Sequence, residues 1–467
     1  MKTYTEPSKT LKVKGEYDVI VAGAGLAGCA AAIQSGRMGI KTLLIERTGN
    51  LGGVAVSAMM ASVSNFYFTK SNKKVIAGIS YEVQEQLGKK GVIPPGWKNH
   101  IVPQIPNNAD EMQVLLFNML KEADVKIMLE TLVSDTIRGE TEDGLTPVKG
   151  LIIENKEGRQ AVFAKTIVDS TGDADIAYYA DAPCLETESH SCSLVFEMGN
   201  VDLEKTIEYY KEHPDEFDEE RDIAIPFEEF LKNWYERGLF HIPHGGGSDL
   251  SILQQAIKEG KYSKEKGLGV NLDALGMFGT KGSNRVLVNS NFYFIDSIND
   301  NEKLSIATLE ARERAVELAK LLNEILPGFE KAFITRTASN MGVRLSRHID
   351  GEYMLTEKDA FEIKEFDDVV CYTTAIERAK RGVRVIDKAF GLPYRVFLPR
   401  KIDNVIIGTG KCISAESGAR GPFLRGQANT MLIGQTAGAA AALAAKTGKS
   451  VKMLGYKDVR DELEKYL

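Results

Sequence analysis

The chain has 467 residues, of which 43% are hydrophobic and 26% charged, and this composition excludes a disordered or fibrous protein. Its net charge of −7 argues against general binding to nucleic acid or to an anionic membrane surface. Five scattered cysteines without a CxxC pair indicate neither a disulfide framework nor a metal site, and the N-terminus has no apolar leader, so we expect a cytoplasmic protein.

The first part of the chain has the pattern of an α/β domain. Tyr17–Ala22 predicts a buried strand, Leu26–Met38 an alanine-rich helix and Lys41–Ile45 a second strand. Asn108 is a predicted N-cap for a helix that continues to Ala123. Further strands are predicted at 125–129, 132–137, 148–154, 161–164 and 166–169.

The rest of the chain divides into a middle region and a return to the first domain. A long amphipathic helix is predicted at Leu304–Leu326, and a short buried strand at Asn404–Ile407. The uncharged segment 426–445 contains Gly434-x-x-x-Gly438, but it is interrupted by polar residues, so we expect a buried helix against a sheet rather than a membrane span. The predicted domains are 16–175, an inserted substrate or cap domain at 176–395, and 396–467.

The strongest motif, Gly23-Ala24-Gly25-Leu26-Ala27-Gly28, joins the first strand to the first helix. In such a loop the first glycine makes the turn, the second lets a pyrophosphate approach the backbone, and the third lets helix and strand pack closely. Glu46 ends the second strand, where a carboxylate accepts hydrogen bonds from ribose hydroxyls and disfavours a 2′-phosphate. The motif therefore predicts a dinucleotide site.

Three more glycine-bearing segments follow predicted strands. They are Gly52-Gly53, Ser170-Thr171-Gly172-Asp173 and Gly408-Thr409-Gly410. Strand ends of this kind converge on one extended ligand at the carboxyl edge of a parallel sheet, and an NAD site would not require the last of them. We therefore expect FAD.

These motifs, together with blocks such as 341–360 and 392–408, resemble the FAD-dependent oxidoreductase family of glutathione-reductase-like flavoproteins. There is more distant similarity to the flavoprotein subunits of fumarate reductase and succinate dehydrogenase. The resemblance implies a Rossmann-like FAD-binding domain, with a parallel sheet and a β-meander, and an inserted α+β cap. Because residues 47–66 contain no histidine, it also implies non-covalent FAD, while Lys411 stands where some relatives have an acid. The predicted cofactor contacts are Gly23, Gly25, Leu26, Ala27, Gly28, Glu46, Arg47, Gly52, Gly53, Gly172, Asp173, Gly410 and Arg425.

Candidate catalytic residues are those that orient a substrate or move a proton beside a flavin. They are Arg344, Arg347, His348, Tyr394 and Arg420, and the alternative for the 344–348 group is a structural ion-pair cluster. His241 and His244 are expected in a loop without a metal, since a third ligand is lacking.

The predicted function is hydride transfer between a small organic substrate and FAD. A quinone, a carrier protein, oxygen or a second substrate would take up or supply the electrons. One alternative is an NAD(P)H-dependent hydroxylase; the candidate second nucleotide loop, Gly276-x-x-Gly279-x-x-Gly282, neither follows a hydrophobic strand nor opens a helix. The other is a tRNA-modifying or non-catalytic flavin protein. The sequence does not indicate an oligomeric state.

Overall fold

The structure is a computed structural model that describes residues 2–60, 62–93, 95–99, 104–187, 190–217, 226–243, 251–262, 275–289, 292–295, 298–379 and 383–467. Its helices are α1 (Leu26–Arg37), α2 (Gly78–Lys89), α3 (Ala109–Glu122), α4 (Asp175–Tyr179), α5 (Leu203–Glu212), α6 (Phe227–Arg237), α7 (Ser251–Lys258), α8 (Asn301–Ile325), α9 (Glu357–Phe361), α10 (Ser417–Ala419), α11 (Gln427–Thr447) and α12 (Tyr456–Glu464).

The strands are β1 (Lys12–Ala22), β2 (Thr42–Ile45), β3 (Ser62–Ser64), β4 (Gln104–Pro106), β5 (Lys126–Met128), β6 (Leu132–Arg138), β7 (Thr146–Asn155), β8 (Gly158–Asp169), β9 (Cys184–Leu185), β10 (His190–Ser193), β11 (Phe196–Gly199), β12 (Leu239–Ile242), β13 (Gly276–Thr280), β14 (Arg285–Asn289), β15 (Phe292–Ile295), β16 (Phe333–Thr337), β17 (Gly342–Val343), β18 (His348–Ile349), β19 (Val369–Arg378), β20 (Val383–Pro393), β21 (Ile402–Asp403) and β22 (Val405–Ile407).

The principal sheet has a parallel part and an antiparallel part. Strands β5, β2, β1, β8 and β22 run parallel in that order, so their carboxyl ends share one edge. Strand β7 pairs antiparallel with β8, and β6 pairs antiparallel with β7, which forms the meander. The predicted α/β fold is therefore confirmed.

Two predicted strand boundaries in this sheet are wrong. Strand β1 begins at Lys12 rather than Tyr17, and the two predicted strands at 161–164 and 166–169 are the single strand β8. Their polar ends pair with each other, as in the register Lys12↔Gln160, so the ladder continues where the hydrophobic pattern has stopped. Asn108 does cap α3, since its side chain accepts hydrogen bonds from the amides of Asp110 and Glu111.

Helix α11 is buried, as predicted, but its closest neighbour is helix α1 rather than the sheet. A Cβ placed on Gly434 would lie 2.1 Å from the carbonyl oxygen of Ala27, and one on Gly438 would lie 2.3 Å from that of Ala31. The two glycines thus let the helix backbones touch. Among the described residues, no helix is long and apolar enough to cross a membrane.

The middle of the chain builds a second hydrophobic core from residues between 192 and 341, with Met59 added from the first part of the chain. Its larger sheet has the strand order β12-β13-β14-β11-β16, and its smaller one β15-β10-β17. The predicted long helix is α8. Strands β19 and β20 form a hairpin that shares the core of the principal sheet. The domain limits at 176 and 395 stay predictions.

The two motifs of the middle region lie in strands. His241 belongs to β12 and is buried, so its expected loop position is wrong, whereas His244 lies outside the described residues. The Gly276–Gly282 motif forms β13 and the turn after it, in an antiparallel sheet. It is therefore not a strand-to-helix phosphate loop.

Candidate active site

The loop between β1 and α1 forms a cradle of closely packed backbone. Gly23 has φ +94°, a conformation that favours glycine, and a Cβ there would lie 2.4 Å from the carbonyl oxygen of Ser170. A Cβ on Gly28 would lie 1.8 Å from the carbonyl oxygen of Gly23, while one on Gly25 would meet nothing within 4 Å. Gly25 is also the N-cap of α1, and no side chain caps the first amides of this helix. This cradle fits a pyrophosphate.

The carboxylate of Glu46 is tied to the same loop. Its Oε2 accepts a hydrogen bond from the amide of Ala24 at 2.8 Å, and its Oε1 accepts two from the amide and hydroxyl of Thr48, each at 2.9 Å. A carboxylate has about four acceptor positions, so roughly one remains for a ribose hydroxyl. The next residue, Arg47, is exposed.

The Gly52-Gly53 pair lies directly against the loop between β1 and α1. The amide of Gly52 donates to the carbonyl of Ala24 at 2.8 Å, and Gly52 pairs with Gly25 in a parallel bridge. A Cβ on Gly53 would lie 2.8 Å from the Cα of Gly25. The two segments, far apart in the sequence, thus line one continuous path along the carboxyl edge of the sheet.

A network of charges follows the end of β8. Asp169 is fully buried and accepts hydrogen bonds from the Thr171 hydroxyl and from the amides of Ile176 and Ala177. The carboxylate of Asp173 pairs with Lys411 at 2.7 Å. Burial alone would raise the pKa of Asp173, but Lys411 outweighs it and holds that pKa below its ordinary value.

From the sequence alone, Lys411 is only a residue that stands where some relatives have an acid. It follows β22, whereas Asp173 follows β8, so the ion pair joins the ends of two adjacent strands. Gly172 has φ +89°, which turns the chain toward Lys411. The signal that could have identified this pair is the arrival of opposite charges at neighbouring strand ends.

Arg347 belongs to this network and does not reach an open space. Its guanidinium pairs with Asp175, donates from Nε to the carbonyl of Asp173 at 2.8 Å, and stacks on the ring of Tyr178 at 3.9 Å. Burial and the nearby Asp173 raise the pKa of Asp175 to about 6. These contacts give Arg347 a structural ion pair, which is the alternative that the sequence left open.

Gly410 lies where the end of β22 meets the turn before α11. A Cβ on Gly410 would lie 1.9 Å from the carbonyl oxygen of Leu424, and its amide donates to the hydroxyl of Thr430 at 3.0 Å. The need for glycine here therefore comes from the protein's own backbone. The same turn carries the two arginines that precede α11.

Arg420 and Arg425 lie at this turn, and the charge of Arg344 acts on Arg425; we call these three residues the arginine cluster. Arg420 lies in a π-helical turn, is fully buried, and donates to the carbonyls of Ala415 (2.7 Å) and Lys411 (2.8 Å) and to the hydroxyl of Thr187 (3.1 Å). Burial lowers its pKa to about 10.

The other two members lie deep in the protein without being fully covered. Arg344 and Arg425 are both partly exposed, yet burial lowers the pKa of each, and the neighbouring charge of Arg344 lowers that of Arg425 further. Arg425 donates from Nε to the carbonyl of Gly421 at 2.6 Å. Both side chains are therefore largely removed from water without being completely covered by protein.

Two remaining candidates take different positions. His348 is buried in β18, and burial together with the charge of Arg420 lowers its pKa to about 3. Tyr394 is also buried, and its hydroxyl donates to the carbonyl of Val451 at 2.8 Å. Val451 follows the far end of α11, about 30 Å from its N-terminus by helix geometry, so we do not propose Tyr394 as a proton donor.

The region that builds the second hydrophobic core, which we call the cap, contacts the segment that follows Gly53. The amide of Asn340 donates to the carbonyl of Ser57 at 3.1 Å, and the side chain of Asn289 contacts the sulfur of Met60 at 3.5 Å. From the other side, Gln427 at the start of α11 donates to the carbonyl of Ser62 at 3.1 Å. The segment that follows Gly53 is therefore held between the cap and the start of α11.

Comparison with known proteins places the chain in one family. The family model described as FAD dependent oxidoreductase matches residues 18–463. A soluble pyridine nucleotide transhydrogenase of Mycobacterium tuberculosis is 34% identical over 77 residues, but the match covers only 15% of this chain and 16% of that protein.

Solved structures align over more of the chain at low identity. A geranylgeranyl bacteriochlorophyll reductase-like protein from Thermoplasma acidophilum aligns with 97% of this chain and 83% of its own, at 14% identity and a TM-score of 0.44. The L-proline dehydrogenase from P. horikoshii aligns with 93% of this chain and 94% of its own, at 11% identity and a TM-score of 0.41.

Proposed function

The chain belongs to the FAD dependent oxidoreductase family, and we propose that it transfers a hydride between a small organic substrate and FAD held without a covalent bond. The observation that carries this proposal is the closure of the cap over the segment after Gly53, through Asn340 and Asn289. A cap in contact with this segment would exclude water from the reacting atoms and limit the size of the substrate.

The chain's own residues would hold the cofactor along the carboxyl edge of the sheet. The start of α1, which no side chain caps, would bind the pyrophosphate, Glu46 would accept a hydrogen bond from the adenosine ribose, and the Gly52-Gly53 backbone would line the path toward the cap. Bound FAD supplies the two-electron acceptor or donor that no side chain provides. The N-terminus of α11, which has no side-chain cap at Gly426, would favour negative charge placed near it.

The second glycine motif supports a dehydrogenase or reductase over a hydroxylase whose flavin is reduced by NAD(P)H bound at a dedicated nucleotide domain. Within the described ranges, the second glycine motif is strand β13 of the cap sheet, packed by backbone: a Cβ on Gly279 would lie 2.9 Å from the carbonyl oxygen of Arg285. This geometry leaves no room for a phosphate at Gly279. We propose that the electrons instead pass to or from a second substrate, oxygen, a quinone or a carrier protein.

Anaerobic reduction of the purified holoprotein tests this function. Hydroxy acids, polyols and unsaturated acids are added separately, to oxidised protein or to chemically reduced protein, and the visible absorbance band of the flavin is followed. We expect one class to bleach or restore the band. Bleaching by NADPH alone, followed by oxygen insertion into an aromatic substrate, would replace the proposal with a hydroxylase, and a colourless protein that takes up no FAD would overturn it.

A further inference from the structure

A cavity lies between the meander and the end of α4, apart from both the glycine cradle and the cap. It has a volume of about 530 Å³, opens to solvent, and is lined by Ser134, Asp135, Tyr178, Tyr179, Asp181 and Ala182. All six residues belong to the stretch 104–187, which the structure describes without a gap. We call this cavity the meander pocket, because its first two residues belong to β6.

A β-bulge turns two polar side chains of β6 toward the pocket. The register of β6 with β7 shifts between Val133 and Asp135, so Ser134 is an extra residue in the strand. Neighbouring residues of a regular strand point to opposite faces, whereas Ser134 and Asp135 both line the pocket. The hydroxyl oxygen of Ser134 is buried there and has no hydrogen-bond partner among the described residues. This hydroxyl is therefore available to a ligand.

The two walls of the pocket are joined to each other. The hydroxyl of Thr136 in β6 donates to the carbonyl of Tyr179 at 3.2 Å, and Arg138 at the end of β6 pairs with Asp181. The rings of Tyr178 and Tyr179 lie 6.2 Å apart and are inclined by 60°. Because these contacts fix the walls, a ligand that enters the pocket has little protein to order.

The charges around the pocket favour a cation. Asp181 has Arg138 as its partner, whereas Asp135 accepts the backbone amide of the next residue at 2.7 Å, a bond that uses only one of its two carboxylate oxygens. Burial raises the pKa of Tyr179, and the negative charges of Asp175 and Asp135 raise it further. The pocket wall therefore lies in a negative potential, which attracts cations and repels anions.

Tyr178 gives the pocket an apolar wall. The guanidinium of Arg347 stacks on this ring at 3.9 Å, yet Tyr178 is still 52% exposed. Since one face already holds a cation, the rest of the ring suits a hydrocarbon stem better than a second charge. An ammonium group has three N–H donors and no acceptor, which matches carboxylate oxygens and a hydroxyl. An amine with a short stem fits both kinds of wall.

The pocket lies next to the charge network at the strand ends without being part of the cofactor cradle. Arg347, which stacks on Tyr178, donates to the carbonyl of Asp173 at 2.8 Å, and Asp173 pairs with Lys411. One guanidinium therefore separates the pocket wall from the strand ends where we propose FAD. A ligand in the pocket would be a second ligand beside the cofactor.

From these observations we propose that the meander pocket binds a small organic amine in its ammonium form. The charged head lies at Asp135 and Ser134, and the hydrocarbon stem lies on the ring of Tyr178. The amine is the ligand of a second site and is not the compound that the flavin oxidises or reduces. This inference does not depend on the substrate of the proposed hydride transfer.

Calorimetric titration of the FAD-bound protein with butylamine, butanol and butyrate tests the proposal. The three compounds share a short stem and carry a positive charge, no charge and a negative charge at neutral pH. We expect saturable binding of butylamine, at least tenfold tighter than that of butanol, and no binding of butyrate. Butylamine added without oxygen should leave the visible flavin band unbleached. Equal binding of amine and alcohol, or no saturable binding of the amine, would overturn the proposal.

Variants locate the binding. Asp135→Asn keeps the shape of the side chain but removes its charge, and it should weaken butylamine binding at least tenfold. Tyr178→Ser should weaken binding several-fold, whereas Tyr178→Phe keeps the ring and should bind as the parent does. Asp143→Asn is the matched control, because Asp143 is exposed in the turn between β6 and β7 and its loss changes the net charge equally. It should bind butylamine as the parent does.

Each other outcome is decisive. Undiminished binding by Asp135→Asn, or an equal loss in Asp143→Asn, would show that the pocket does not hold the amine. Bleaching of the flavin by butylamine, with binding unchanged in Asp135→Asn, would place the amine at the flavin; this overturns the inference and leaves the proposed function standing. If Asp135→Asn fails to fold, the two Tyr178 variants and the comparison of amine with alcohol decide.

Discussion

The glycine cradle is built from backbone, whereas the arginine cluster is built from side chains. In the cradle, Gly28 packs against the carbonyl of Gly23, and Gly23 packs against the carbonyl of Ser170. In the cluster, Arg344 comes from the cap and Arg420 and Arg425 from the turn before α11. The cradle is built within one loop and against the neighbouring end of β8, whereas the cluster joins side chains from separate parts of the chain.

The comparison changes the meaning of the glycines themselves. The glycines of the first loop and of the strand ends were expected to let the backbone approach a ligand. In the structure, other protein atoms occupy the space that a Cβ would need at three of these glycines. They are the carbonyl of Gly23 at Gly28, the side chain of Ser170 at Gly408 and the carbonyl of Leu424 at Gly410. Gly25 faces open space instead. Glycine in the cradle therefore serves mainly to pack the protein on itself, and one position is left for the ligand.

The largest effect that this comparison predicts is for Gly28→Ala. The added Cβ would collide with a backbone oxygen, so α1 must move away from β1, with a loss of about 3 kcal/mol or more in the free energy of unfolding. The displaced helix no longer presents its amides, so bound FAD should be lost. Denaturant unfolding of the apoprotein and the flavin content after purification measure the two effects.

Gly25→Ala is the matched test within the same loop. Gly25 has φ −62°, which alanine adopts, and its Cβ would point into open space. The apoprotein should keep its stability within about 0.5 kcal/mol. FAD affinity should fall about tenfold or more, since the methyl group occupies the pyrophosphate position. Equal destabilisation by both substitutions would contradict the distinction between packing and ligand glycines.

The contact between α1 and α11 gives the next largest effect. Gly434→Val places a side chain where the Ala27 carbonyl lies, and we expect a loss of about 2–4 kcal/mol in unfolding free energy. Gly49→Val is the control, since a Cβ on Gly49 would lie 3.8 Å from its nearest neighbour, Glu130. Thermal unfolding of the two variants compares them directly. Similar melting temperatures would show that the helices separate without cost.

Features encoded by neighbouring residues could be predicted from the sequence, whereas features that depend on distant parts of the chain could not. The loop at Gly23–Gly28, the capped helix α3 and the long helix α8 were predictable because each is encoded by neighbouring residues. The polar start of β1 was not, because its pairing with β8 is set by a partner 148 positions away, as in Lys12↔Gln160. The packing of Gly434 on a helix rather than a sheet was hidden for the same reason.

Side-chain sites were predicted as residues but not as an arrangement. Arg344 and Arg347 are three positions apart, and nothing local distinguishes them. The structure gives Arg347 a carboxylate partner and directs Arg344 toward Arg425. Thr187, which binds Arg420, was missed altogether, since a lone threonine carries no sequence signal.

A smaller effect is expected for the pair that joins β8 to β22. Lys411→Met leaves Asp173 desolvated without its cation, which should lower stability by about 1–3 kcal/mol at neutral pH. Without Lys411, burial raises the pKa of Asp173, so the native state holds a proton that the unfolded chain releases. The variant should therefore regain stability as the pH falls. Adding Asp173→Asn should restore much of the loss at neutral pH, and a double-mutant cycle measures the coupling.

The smallest effect concerns His348, which adjoins Arg420 on the cluster side. Its pKa is lowered to about 3 from an ordinary value of 6.5, so below pH 6.5 the unfolded chain binds a proton that the native protein does not. The stability that His348 contributes is complete above pH 6.5 and falls by up to about 1.4 kcal/mol per pH unit as the pH decreases. His241 in the cap, with its pKa also lowered to about 3 by burial, should contribute a second slope of the same sign.

The slope of the unfolding free energy against pH, between pH 6 and 5, distinguishes the effect of histidine protonation from the effect of lost packing in the variants. His348→Gln and His241→Phe should each remove about one proton's worth of slope, and the double variant about two. Phe at 241 keeps the ring beside Phe278. An unchanged slope in His348→Gln would mean that this imidazole has its ordinary pKa. Neither burial nor the charge of Arg420 would then lower the pKa of His348.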